Sequence, residues 1–140
     1  MSLEVEIDGF SELEADLREV LKKFPQETET ELKKNANKLR RNAKKQMESD
    51  IKRHSKNIIA QKWRVKIIGK RLTKTAMVFN NAPHAHLIEY GHDEYDFQGN
   101  PTGGFVPGTH SLERAAREYE EEVPENFEKM VDKLLRGNDL

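Results

Sequence analysis

Four histidines, His84, His86, His92 and His110, lie in a short span beside Glu89, Asp93 and Asp96, and imidazole with carboxylate is a donor set that suits zinc or a similar ion. Their spacing argues against a shared ion. On a helix His84 and His86 point roughly 200° apart, whereas on a strand they share a face. No His-Glu-x-x-His pair occurs, and no two histidines are four residues apart. Polar or core histidines with hydrogen-bond partners are the plainer reading, and no metal or cofactor is expected. Nucleophile arrangements are weaker still. Ser111 beside His110 has no glycine elbow, and Ser49 and Ser55 flank His54 where the helical pattern loosens. With no cysteine, thiol catalysis, disulfides and thiolate metal sites are excluded. The carboxylates from Glu118 to Glu125 are too dense for a catalytic pair and read as an acidic helix face. Glu89 stands apart because it falls one turn before Gly91, near a helix C-terminus, where the dipole disfavours an anion. A salt bridge to a Lys or Arg of the middle segment would account for it; a plain exposed carboxylate is the alternative.

The element that must position these groups is Asn80–Gly91. Pro83 suits a first helical position, where its missing N–H has no helical partner, and Gly91 suits a left-handed stop. Leu87, Ile88 and His84 then share one face, leaving His86 and Glu89 elsewhere. Upstream, Leu3, Val5 and Ile7 alternate with acids as a strand. Leu13, Leu17, Val20, Leu21 and Phe24 follow at helical spacing. Pro25 predicts a break and the start of a second helix, whose narrow stripe is Leu32, Ala36, Leu39, Ala43 and Met47. A helix end and loop are expected over 48–59. Trp63, Val65 and Ile67, then Thr75, Met77 and Phe79, predict two antiparallel strands about a short turn. Downstream, 92–104 is rich in Asp, Gly and Pro and reads as a long surface loop that orders only on assembly. A last helix runs from Pro107 to Gly137, kinked or split by Pro124. The expected fold is α+β: a single domain over 1–140, with a small antiparallel sheet of the N-terminal strand plus the hairpin, packed by a long helix and a C-terminal helix.

Two short motifs resemble a known family. Asn81-Ala82-Pro83-His84-Ala85-His86-Leu87-Ile88-Glu89-Tyr90-Gly91-His92, and Val106-Pro107-Gly108-Thr109-His110-Ser111-Leu112 after a Gly-rich insert, resemble the tailed-bacteriophage tail-component family typified by gene product ten of a lambdoid phage. That pattern runs Ala-Pro-aromatic/His-Ala, then apolar-Glu-aromatic-Gly, then Pro-Gly-x-x-Phe/Leu before a last helix. Ser111-Leu112 departs from the apolar pair of the family pattern. The resemblance implies a head–tail connector or tail-completion protein of a phage or prophage: a structural subunit forming a ring, without catalytic activity. It implies other neck or tail proteins as partners and a place in the virion neck or tail.

Composition is compatible with an assembling protein. Hydrophobic and charged residues are each 35% of the 140 residues, so exposed helices or burial against partners are expected rather than a large core. No apolar run reaches membrane-spanning length and no signal-peptide order opens the chain, so synthesis in a host cytoplasm is expected. The net charge of −1 hides segregation: 1–32 carries 3 basic and 10 acidic residues, 33–74 carries 16 and 2, and 75–140 carries 5 and 13. A basic middle between acidic ends suits contact between neighbouring copies, a nucleic-acid footprint over Lys33 to Lys74, or pairing within one chain. DNA passing through a ring is a further expected partner. The residues expected at a subunit interface are Lys33, Lys34, Lys38, Arg40, Arg41, Lys44, Lys45, Glu89, Tyr95 and Phe97.

Overall fold

A single helix, α1 (Phe10–Asp50), runs for 41 residues, about 60 Å at 1.5 Å per residue. The computed structural model describes residues 10–51, 59–71 and 73–140; the strand expected over Leu3–Ile7 and most of the loop expected over 48–59 lie outside them. The break expected at Pro25 does not occur. Val20 and Phe24 before the proline and Leu32, Asn35, Leu39, Ala43 and Met47 after it are all buried or half-buried. One stripe at helical spacing therefore carries across it, and packing along that stripe outweighs the single backbone bond that Pro25 removes.

What covers the stripe is the C-terminal part of the chain. The single helix expected after Pro107 is two, α3 (Ser111–Tyr119) and α4 (Glu122–Arg136). Pro124 sits in the first turn of α4, where a missing N–H costs little. Here Asx, Lys and Ser side chains mark an antiparallel course along α1. Ser111 Oγ donates to Asp50 at 3.1 Å, Asn42 to Glu118 at 2.7 Å, Asn126 to Asn35 at 2.8 Å and Lys23 to Asn138 at 3.2 Å.

Between these helices the chain builds the strands. After a 3-10 turn (Ala60–Lys62), β1 (Trp63–Ile68) pairs antiparallel with β2 (Thr75–Asn80), with Trp63 opposite Asn80 and Ile68 opposite Thr75. Alternation turns Trp63, Val65 and Ile67 inward and leaves Arg64, Lys66 and Ile68 outward. Trp63 then joins Ala43, Met47 and Ala115 in the core, with Leu39, Ile51, Val78, Ile88 and Leu112 packed around them. The core is small and lies at the C-terminal end of α1, while Leu13, Leu17 and Leu21 near its start are exposed.

A six-residue helix, α2 (Ala85–Tyr90), follows β2. It begins two residues beyond Pro83, which lies in the preceding turn. Gly91 ends it at φ 88, ψ 172, a glycine conformation that opens a strand rather than the left-handed cap expected. The segment expected to be a loop is a second hairpin, β3 (Gly91–Tyr95) with β4 (Pro101–Pro107). Its two strands pair antiparallel within the one chain. The fold is α+β, with two separate two-stranded sheets among the described residues.

Candidate assembly surface

Glu89 is the pivot between the two motifs. It is 8% exposed, and its Oε2 accepts the N–H of Leu112 at 3.1 Å while Oε1 accepts that of Glu113 at 3.2 Å. Those are orphan donors of the first turn of α3, whose own N-cap residue, His110, makes no side-chain cap. An anion there also meets the positive end of the helix dipole. Glu89 is buried rather than the exposed carboxylate of one expectation, and among the described residues it makes no ion pair to the basic middle. The adjacent carbonyls complete the clasp: Ile88 O accepts from Thr109 N at 2.8 Å and Glu89 O from His110 N at 3.1 Å. Backbone approach is close enough that a Cβ at Gly91 would lie 2.6 Å from Val106 O, and one at Gly108 would meet the Glu89 carbonyl and lie 2.7 Å from Gly91 N. Buried Ser111 then ties the clasp to Asp50 of α1, which also pairs with Arg114.

Above this base the hairpin is almost wholly exposed. Tyr95 is 58% exposed, Phe105 60%, and Phe97 at the tip is fully in solvent. The tip is ordered by Asp96, whose Oδ1 accepts the N–H groups of Gln98 and Asn100, each at 2.9 Å. Three large aromatic side chains are thus left exposed on one hairpin of the described residues.

The basic run of α1 divides in two. Lys33 pairs with Glu29 at 3.0 Å, Lys44 with Glu48 at 4.0 Å, and Lys38 with Glu122. Lys38 also stands 5.1 Å from the centre of the Tyr119 ring. The Glu122 hydrogen bond raises the Lys38 pKa above its ordinary value, and the same bond holds the Glu122 carboxyl below the ordinary carboxylate value. Lys34, Arg40, Arg41 and Lys45 have no carboxylate within ion-pair distance among the described residues. Some of the middle charge is therefore spent inside the subunit and some is left outward.

The histidines do not converge. Among the described residues no three His, Asp or Glu side chains are grouped to hold a metal ion. His84 and His86 are exposed, His92 Nδ1 meets the Asp93 carbonyl at 2.9 Å, and His110 Nδ1 meets Glu113 at 3.2 Å. Sequence reasoning missed Asn80, which holds the entry to α2 by donating to Ile59 O and accepting from Ala82 N, each at 2.9 Å. It also missed the Asn35–Asn126 pair, whose signal was a polar residue, Asn35, on the apolar stripe of α1.

Residues 11–91 match the family model described as "Bacteriophage HK97-gp10, putative tail-component". The match covers more than half of the chain. This chain belongs to the HK97-gp10-like family. The matched span holds α1, the first hairpin and α2, and ends at Gly91. Glu89 of this HK97-gp10-like chain therefore lies inside it, while the α3 residues it caps lie beyond. No curated protein and no solved structure matches the chain. As a tail-component relative the chain is a structural phage protein, and no described helix is long and apolar enough to cross a membrane.

Proposed function

We propose that this HK97-gp10-like chain is a non-catalytic subunit at the head–tail junction of a tailed phage or prophage. Copies of it assemble into a homo-oligomeric ring that completes or connects the tail, with other neck or tail proteins above and below and DNA passing through the lumen. Assembly takes place in the host cytoplasm and the product resides in the virion. The observation that carries the reading is the β3–β4 arm, which presents Tyr95, Phe97 and Phe105 to solvent on a base fixed by Glu89. Such a surface is complete only against another protein. Lys34, Arg40, Arg41 and Lys45 of α1, which have no carboxylate partner among the described residues, add a charged surface for neighbouring subunits beside the paired Lys33, Lys38 and Lys44.

The test is the mass of the purified protein in solution across concentration and salt, with electron microscopy of whatever assembles. Oligomers that appear as rings are expected. A protein solitary under every condition, which instead grips DNA with a steep loss of affinity as salt rises, would make it a nucleic-acid-binding module. Thermal stabilisation by zinc would return attention to the histidines.

A further inference from the structure

We propose that the outward face of β1–β2 receives the β3–β4 arm of a second copy of this chain. This rests on the ring reading and states which two surfaces meet. The two hairpins carry charges of opposite and unmixed sign. Trp63–Asn80 holds Arg64, Lys66, Lys70, Arg71 and Lys74 and no carboxylate, whereas Gly91–Pro107 holds Asp93, Glu94 and Asp96 and neither Lys nor Arg. Of those five cations, Lys74 alone has a carboxylate partner among the described residues, Glu29. Asp93, Glu94 and Asp96 have no Lys or Arg partner among the described residues, and no ion pair there joins one hairpin to the other.

The apolar side chains add to the charges. Strand register sets Arg64 opposite Phe79, Lys66 opposite Met77 and Ile68 opposite Thr75 on the face turned away from the core. Ile68 and Met77 are exposed there, 43% and 44%. The face thus mixes two cations with apolar side chains. The arm mixes Asp93, Glu94 and Asp96 with Tyr95, Phe97 and Phe105, so aromatic rings can lie on apolar atoms and beside guanidinium or ammonium groups while the carboxylates meet the cations. The two hairpins form separate sheets. Joining unlike surfaces on successive copies is a heterologous contact, which closes into a ring when the rotation allows.

The absence of cysteine makes the contact readable by single thiols. Full-length Glu94→Cys and Lys66→Cys proteins, each exposed in the subunit, are mixed and treated with a short bis-maleimide. Cross-linked dimer is expected in the mixture and not in either variant alone, and the double variant should give a ladder ending at the ring size. Lys66→Glu should weaken association because it sets like charges face to face, and Glu94→Lys in the other copy should restore it. Oligomers that persist while Glu94→Cys cross-links to Arg41→Cys and not to Lys66→Cys would overturn the pairing and leave the ring reading standing. Loss of DNA affinity in Lys66→Glu with oligomer mass unchanged would also overturn it. A protein that stays solitary throughout would overturn both.

Discussion

Glu89 caps a helix that is not its own, accepting the N–H of Leu112 at 3.1 Å from the end of α2. Removing the acceptor leaves two N–H groups of α3 without partners. Glu89→Ala is expected to lower stability by about 1–3 kcal/mol, the range for a lost cap and an unsatisfied buried donor. Glu89→Gln, which keeps one carbonyl oxygen, should recover part of it. Trp63, the sole tryptophan and a core residue, gives the fluorescence signal for urea titrations that measure both.

The glycines separate into two classes that thermal melts can distinguish. Gly91 has φ +88 and a Cβ there would lie 2.7 Å from Phe105 Cζ as well as close to Val106 O, so Gly91→Ala should fold poorly. Gly103 has a similar φ of +81 with nothing within 4 Å. Gly103→Ala should therefore lose only the conformational part, on the order of 1 kcal/mol.

Acid and alkali should each loosen α4 from α1 through one pair. Because the folded Glu122 pKa is lowered, its contribution is complete above the ordinary value of 4.5 and disappears as pH falls through the folded value. Because that of Lys38 is raised, its contribution is complete below 10.5 and disappears as pH rises through the folded value. The Tm difference between the native protein and Glu122→Gln should be flat between those limits and close at both ends. It should also be small, because both side chains are only half-buried and solvent screens the pair.

Asn126→Ala should cost about 1 kcal/mol by stranding Asn35, which is 8% exposed and bonded to Asn126 and to Glu31 O at 2.7 Å. Replacing both asparagines with leucine should restore or exceed native stability, as paired apolar residues can, and a double-mutant cycle in urea reads the coupling. Pro25→Ala should stabilise α1 by as much as about 3 kcal/mol, since alanine supplies the missing rung.

The first hairpin and the strand faces were legible because Trp63, Val65 and Ile67 alternate with Lys62, Arg64 and Lys66, and the split near Pro124 followed from its ring. The second hairpin was not legible. Its strands contain Gly91, Gly103, Gly104, Pro101 and Pro107 and bury almost nothing, so no apolar alternation announces them, and their pairing rests on backbone bonds and the Asp96 turn. Continuity through Pro25 was hidden because local propensity speaks of one residue, while the stripe from Val20 to Met47 speaks of contacts with helices a hundred residues away. Glu89 was singled out for its awkward position on α2, but its partner is a backbone turn, which sequence pattern does not display.

The closed base beneath Gly91 and Pro107 makes the arm a cassette. Bonds among Ile88, Glu89, Thr109 and His110 anchor both of its ends to the body, so residues between them can be lengthened, shortened or exchanged without disturbing α1 or α3. One framework can thereby carry hairpins of different length and chemistry.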